Sequence, residues 1–89
     1  APLLLMEHPT RGLDAGSSLQ VWEHLRERCR DGATLFFFSP DLDEVIEHSH
    51  RVLVFFDRML VADVPRSAAT VETLGALMAG KNLESWHAA

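Results

Sequence analysis

The stretch Pro2-Leu3-Leu4-Leu5-Met6-Glu7-His8-Pro9-Thr10-Arg11-Gly12-Leu13-Asp14 joins a short apolar run to an acidic residue, a Pro-Thr break and a Gly-Leu-Asp turn. An apolar run of this length bounded by turn residues reads as a buried parallel strand over residues 3–7. Parallel sheets collect chemistry at the carboxyl ends of their strands. Glu7 and His8 stand at that end.

Working outward, Leu19, Trp22 and Leu25, with Val21 and Cys29 nearby, recur at helical spacing, so residues 17–30 read as an amphipathic helix that Asp31-Gly32 terminates. Trp22 reads as a core or interface anchor. Ala33-Thr34-Leu35-Phe36-Phe37-Phe38-Ser39 is a second strand, apolar on both faces as a strand covered by helices on both sides should be. Pro40 in a first turn, with Asp41, Asp43 and Glu44 near a positive helix end, suits a helix over 40–48. That gives the acidic cluster a structural explanation requiring no metal. Residues 51–56 and 59–64 flank Asp57-Arg58 at the spacing of a tight hairpin, without a glycine to fix the turn type. Pro65 ends the last strand. Ala69 to Ala79 carries Val71, Leu74, Leu77 and Met78 on one helical side, with Gly80 as its stop. The tail from Lys81 to Ala89 holds an isolated Trp86 and is expected to be mobile. Without repeats or a linker rich in Gly, Ser or Pro, residues 1–89 read as a single domain.

Four apolar residues, Asp, Glu, Pro, Thr, two variable residues, Leu and Asp form the Walker B strand and D-loop of the nucleotide-binding subunits of ABC transporters, and Pro9, Thr10, Leu13 and Asp14 match that pattern. Ser39-Pro40-Asp41-Leu42-Asp43-Glu44, then Ser49-His50-Arg51-Val52, then Leu74-Gly75-Ala76-Leu77-Met78-Ala79-Gly80 resemble successive landmarks of one subgroup, the ATPases of simple-sugar and nucleoside importers. The resemblance is collinear and is to the C-terminal part of those subunits. It implies an α/β fold: a partial P-loop NTPase (ABC ATPase-like) core, mainly a parallel sheet flanked by helices, with a C-terminal strand hairpin and helix.

The resemblance also implies roles. Glu7 falls where the family has the Asp that supports Mg²⁺, and a longer side chain there fits poorly, because Mg²⁺ tolerates little deviation from octahedral geometry. His8 falls on the catalytic Glu. Pro40 falls where many of these ATPases carry the switch His, and proline offers neither a side-chain donor nor an N–H. Asp14 is the D-loop acid, and Ser39 and Asp41 flank the switch position on the nucleotide side. ATP binding in the family further requires a Gly-rich loop ending in Lys-Ser/Thr, whose N–H groups and Lys hold the phosphates. The glycines Gly12, Gly16, Gly32, Gly75 and Gly80 are scattered singly, Lys81 precedes Asn82, and no Leu-Ser-Gly-Gly-Gln signature occurs. The sequence is therefore expected to correspond to the last third of a nucleotide-binding domain, excised or encoded alone, with a degenerate catalytic site. It is expected to use no cofactor by itself, and ATP and Mg²⁺ only where the N-terminal part is present.

Composition narrows the alternatives. With 89 residues, 47% of them hydrophobic, the chain is long enough for one small core and short for a doubly wound domain. A net charge of −5 gives no electrostatic reason to expect nucleic acid. Arg26, Arg28 and Arg30 are interleaved with Glu23, Glu27 and Asp31, the pattern of a solvated helix face. The single Cys29 excludes an internal disulfide framework and suits a reducing cytosol, where it acts as a small hydrophobe. His48, His50 and His24 form no recognised zinc framework. No segment reaches the roughly 18 apolar residues of a membrane helix, so any membrane association is expected through a partner; the resemblance implies a transporter permease as that partner, on the cytoplasmic side of the inner membrane.

Topology adds one more expectation. In the family's sheet another strand lies between the equivalents of residues 33–39 and 51–56. Here these two strands must pair directly, leave edges that template association, or, in a segment of a larger molecule, receive that strand between them. An edge-paired or swapped homodimer is the simplest closed result. Two readings follow: a segment of an importer's ATP-binding subunit, or an autonomous degenerate module acting by self-association or protein–protein contact.

Overall fold

The computed structural model describes residues 2–81. It is mixed α/β: β1 (Leu3–Glu7), α1 (Ala15–Arg30), β2 (Thr34–Phe38), α2 (Leu42–His48), β3 (Arg51–Phe56), β4 (Met59–Pro65), a 3₁₀ turn (Arg66–Ala68) and α3 (Val71–Met78). The chain divides into two compact units, one ending at Pro40 and one beginning at Asp41. The reading of Trp86 and its tail lies outside the described residues.

In the first unit α1 joins two parallel strands in the register Leu3↔Thr34 to Glu7↔Phe38. Asp14 starts the helix as N-cap, its Oδ1 accepting from the Ser17 N–H at 2.7 Å. Gly32, at φ +103°, ends it. There the Gly32 N–H donates to the Cys29 carbonyl and the Ala33 N–H to the Arg28 carbonyl, which satisfies carbonyls that the last turn would leave open. Trp22 and Leu25 are the buried residues of α1, and the Trp22 ring meets Phe37 edge-on with centroids 4.9 Å apart. The half-buried line of the helix runs through Ser18, Val21 and Cys29, whereas Leu19 is exposed. The expected stripe was thus one position off at Leu19.

The strands depart further from expectation. Leu4, Met6, Leu35 and Phe37 are half-buried on the face that α1 covers, while Leu3, Leu5, Phe36 and Phe38 are 65, 68, 48 and 59% exposed. The pairing is parallel, as the sequence predicts, but burial on both faces is not realised. A single crossover helix covers only one side of a sheet.

The second unit packs α3 on the β3–β4 hairpin and α2 on α3. Its core is Val54, Ala62, Val64, Ala69, Leu74 and Leu77, with Leu42, Ile46, Val52, Val61 and Ala68 around it. Asp57 and Arg58 take φ 52° and 64°, so the tight turn has both central residues left-handed, the type whose twist matches that of the strands. The register slips at Val54/Phe55, leaving Val61 as the extra residue of a bulge. Helix α2 begins later than expected, at Leu42, because the Asp41 side chain caps it by accepting from the Asp43 and Glu44 N–H groups. Pro40 therefore lies outside the helix. In α3, Leu74 and Leu77 are buried but Val71 and Met78 are exposed, since at 3.6 residues per turn both lie roughly a quarter-turn around the helix from the Leu74–Leu77 line. Gly80, at φ +80°, closes α3 as expected: its N–H donates to the Leu77 carbonyl, and the Lys81 N–H donates to that of Ala76.

The expected mainly parallel sheet is absent among the described residues. There are two separate two-stranded sheets, β1–β2 parallel and β3–β4 antiparallel. Strands β2 and β3 do not pair with each other. Each already satisfies one side with its sequence neighbour, and no described strand occupies the other. No helix of the described residues is long and apolar enough to cross a membrane.

Candidate functional site

Glu7 is the last residue of β1 and stands opposite Phe38. Its carboxylate lies 3.4 Å from the Arg11 guanidinium, with side chains 74 and 68% exposed, so solvent screens most of the attraction. His8 follows with φ 43°, a left-handed conformation that costs a non-glycine residue roughly 1 kcal/mol or more. Backbone bonds hold it there. The His8 N–H donates to the Phe38 carbonyl at 2.6 Å, and the His8 carbonyl accepts from the Arg11 N–H at 3.0 Å. Arg11 Nε also approaches His8 Nδ1 at 3.4 Å. Arg11 thus touches both candidate residues through one short turn, and sequence reasoning gave it no role. A three-residue reach across an irregular loop has no periodic signal.

The loop continues with the Leu13 N–H donating to the Thr10 carbonyl at 3.1 Å and with Gly12 at φ +76°. It delivers Asp14 to the start of α1. The Asp14 carboxyl is held below its ordinary value, chiefly by the Ser17 backbone N–H and next by the Ser17 hydroxyl. Asp41 caps α2 in the same manner. Two residues read as nucleotide-side acids therefore have a local role in starting helices. Ser39 and Pro40 leave the end of β2, half-buried and exposed respectively, and the His8–Phe38 bond ties their strand end to that of Glu7. Glu7, His8, Ser39 and Pro40 share one strand-end surface of the first unit, while Asp41 opens the second unit.

Among the described residues no three His, Cys, Asp or Glu side chains gather as metal ligands. The His48 side chain is 8% exposed, with Nε2 3.8 Å from Glu47 Oε2. His24 and His50 are exposed. In the second unit, and best formed of the ion pairs among the described residues, Arg51 clasps Asp63 through Nε at 3.1 Å and through a second, shorter bond from its terminal nitrogen. It bridges positions diagonal in the hairpin register, a pairing that becomes visible only once the register is known.

No family model matches the chain. Individual relatives do. A ribose import ATP-binding protein of Streptomyces coelicolor is 37% identical over 79 residues, and one of Streptomyces avermitilis is 35% identical over 79 residues, each alignment taking in 89% of this chain and 16% of the relative. The galactofuranose transporter ATP-binding protein of Escherichia coli K12 is 31% identical over 71 residues, 80% of this chain and 14% of the relative. The chain spans about 15% of the length of these curated relatives.

Proposed function

Because the chain is homologous over most of its length to a segment of sugar-import ATP-binding proteins of the ABC class, we propose that it is the C-terminal Walker B-to-switch segment of such a subunit. In this reading it serves sugar or nucleoside uptake beside a membrane permease, on the cytoplasmic face. The observation that carries the reading is the coincidence of two things at one place. Pro9, Thr10, Leu13 and Asp14 keep the family spacing, and the turn they occupy leaves the carboxyl end of a parallel strand. That is where nucleotide chemistry belongs in an α/β sheet.

The chemical positions are altered in the same proposal. Glu7 replaces the metal-supporting Asp, His8 the catalytic Glu and Pro40 the switch His. The donors present fit Mg²⁺-ATP poorly by themselves: Glu7 contributes one carboxylate, and its near neighbour is a guanidinium. Mg²⁺ in nucleotide sites is held by one or two carboxylates together with the phosphates, and the sequence contains no phosphate cradle. Calorimetry with Mg-ATP on the chain tests the reading, with no saturable heat expected. Saturable binding at micromolar affinity would overturn it.

A second reading is favoured by a specific observation: among the described residues both two-stranded sheets keep unpaired edges, and large apolar side chains lie exposed on each. In this reading the chain is a degenerate module that acts by associating with itself or another protein.

A further inference from the structure

The turn after β1 carries a cation of its own. Arg11 Nη2 lies 3.4 Å from Glu7 Oε1, and Arg11 Nε lies 3.4 Å from His8 Nδ1. Nε and one terminal nitrogen make up the side-on fork of a guanidinium, the edge with which arginine clasps two acceptors at once. Here the fork spans two side chains adjacent in sequence rather than the two oxygens of one carboxylate. Guanidinium offers donors only, so the atoms it meets present lone pairs to it: a carboxylate oxygen and the unprotonated nitrogen of a neutral imidazole. Those are the lone pairs with which Glu7 and His8 would hold a divalent ion.

Every contact in this cluster is local. The Arg11 N–H donates to the His8 carbonyl at 3.0 Å and closes the turn, while the left-handed bend at His8 (φ 43°) is tied to β2 through the Phe38 carbonyl. The side-chain contacts all fall within residues 7–11, so they follow from this stretch of sequence whatever chain lies beyond it. Among the described residues no third His, Cys, Asp or Glu joins the pair as a metal-ligand set.

We propose that Arg11 is a resident counter-cation, occupying the place between Glu7 and His8 that a divalent ion would otherwise take. This deepens the reading of the altered strand end and rests on it for the expectation that a metal belongs beside residue 7. The ion pair adds little to stability, because both side chains are mostly exposed. Its effect is on occupancy. A unit charge about 4 Å from a divalent cation disfavours that ion by roughly tenfold or more even in water. Lysine, a point charge without the fork, would meet one of the two acceptors at a time.

Titration of the whole chain with Co²⁺ alone, followed residue by residue through paramagnetic broadening of the amide signals, tests this. The readout separates residues 6–12 from binding at His24, His48 or His50. Weak broadening at residues 6–12 is expected in the parent, and Arg11→Met should raise the apparent Co²⁺ affinity there by about tenfold, with Arg11→Lys between the two. Equal affinity at residues 6–12 in the parent and in Arg11→Met, or no site there in either, would overturn the proposal. Should Arg11→Met fail to fold, the Arg11 Nε–H signal of the parent decides. Slowed guanidinium rotation that Glu7→Gln releases is expected, and rotation as fast as that of the exposed Arg58 would overturn the proposal. Saturable Mg-ATP binding with Co²⁺ still excluded from residues 6–12 would sink the reading of the strand end and leave the counter-cation standing.

Discussion

Replacing Gly80 by alanine gives a prediction whose size follows from local geometry. Gly80 sits at φ +80° just beyond α3, and a Cβ built there would lie 2.6 Å from Phe56 Cζ and 2.9 Å from both Cε atoms. Two costs combine. Holding a non-glycine residue in the left-handed region costs about 1–2 kcal/mol. The overlap moves the Phe56 ring, which is 38% exposed and can swing aside by giving up packing, for about another 1 kcal/mol. Against this, alanine restricts the unfolded chain and returns about 0.4–1 kcal/mol. The net expectation is a loss of about 2 kcal/mol by urea denaturation. Gly75→Ala supplies the opposite sign. Gly75 is inside α3, its Cβ would meet no heavy atom within 4 Å, and the substitution should stabilise by about 0.5–1 kcal/mol. A double-mutant cycle separates the two costs, because in a Phe56→Ala background Gly80→Ala should retain only the backbone penalty. If Gly80→Ala lies within about 0.5 kcal/mol of the parent, the packing of Phe56 on Gly80 is refuted.

Asp63 is held below its ordinary value of 3.8, chiefly by the hydrogen bond from Arg51. Its contribution to stability should be complete above that value and lost as pH falls through the depressed folded value, and Asp63→Asn should flatten the acid limb of a stability–pH curve. Asp14→Ala should lower the helix content of the first unit in circular dichroism, with Asp14→Ser restoring most of it, since both Asp and Ser cap. His8→Gly should raise stability by about 1 kcal/mol by relieving the left-handed backbone, as read from thermal denaturation; a decrease would show that the imidazole contacts outweigh the strain. Joined to an intact phosphate loop, Glu7→Asp with His8→Glu should raise ATP turnover in a phosphate-release assay. An unchanged rate would mean that Pro9 and Thr10 are misaligned with the family pattern.

Where structure is local, the sequence announces it. Gly32 and Gly80 mark the helix ends, Asp57-Arg58 marks the turn, and the apolar run of residues 3–7 ends at Glu7 as read. Leu3, Leu5, Phe36 and Phe38 were misjudged because a continuous apolar run carries no alternation that tells a covered face from an open one. Pro40 was placed inside α2 because Pro suits a first turn, but the Asp41 carboxylate was the stronger start signal one residue later. That Glu7 and His8 stand at a strand's carboxyl end was legible from the apolar run before them. Arg11 was not, since its contacts depend on the left-handed bend at His8, which a single histidine does not advertise.

The distribution of the core bears on how the strand-end residues would behave. Among the described residues, six of the eight buried hydrophobic ones, Val54, Ala62, Val64, Ala69, Leu74 and Leu77, belong to the second unit, and Trp22 and Leu25 to the first. Cooperative opening of the first unit should therefore cost far less free energy than opening of the second, and its amides should exchange in an earlier class. Glu7 and His8 ride on that softer part. Any ligand or partner that engages them would meet an ensemble and have to select the closed member, so its apparent affinity would scale with the fraction of molecules in which β1, α1 and β2 are assembled.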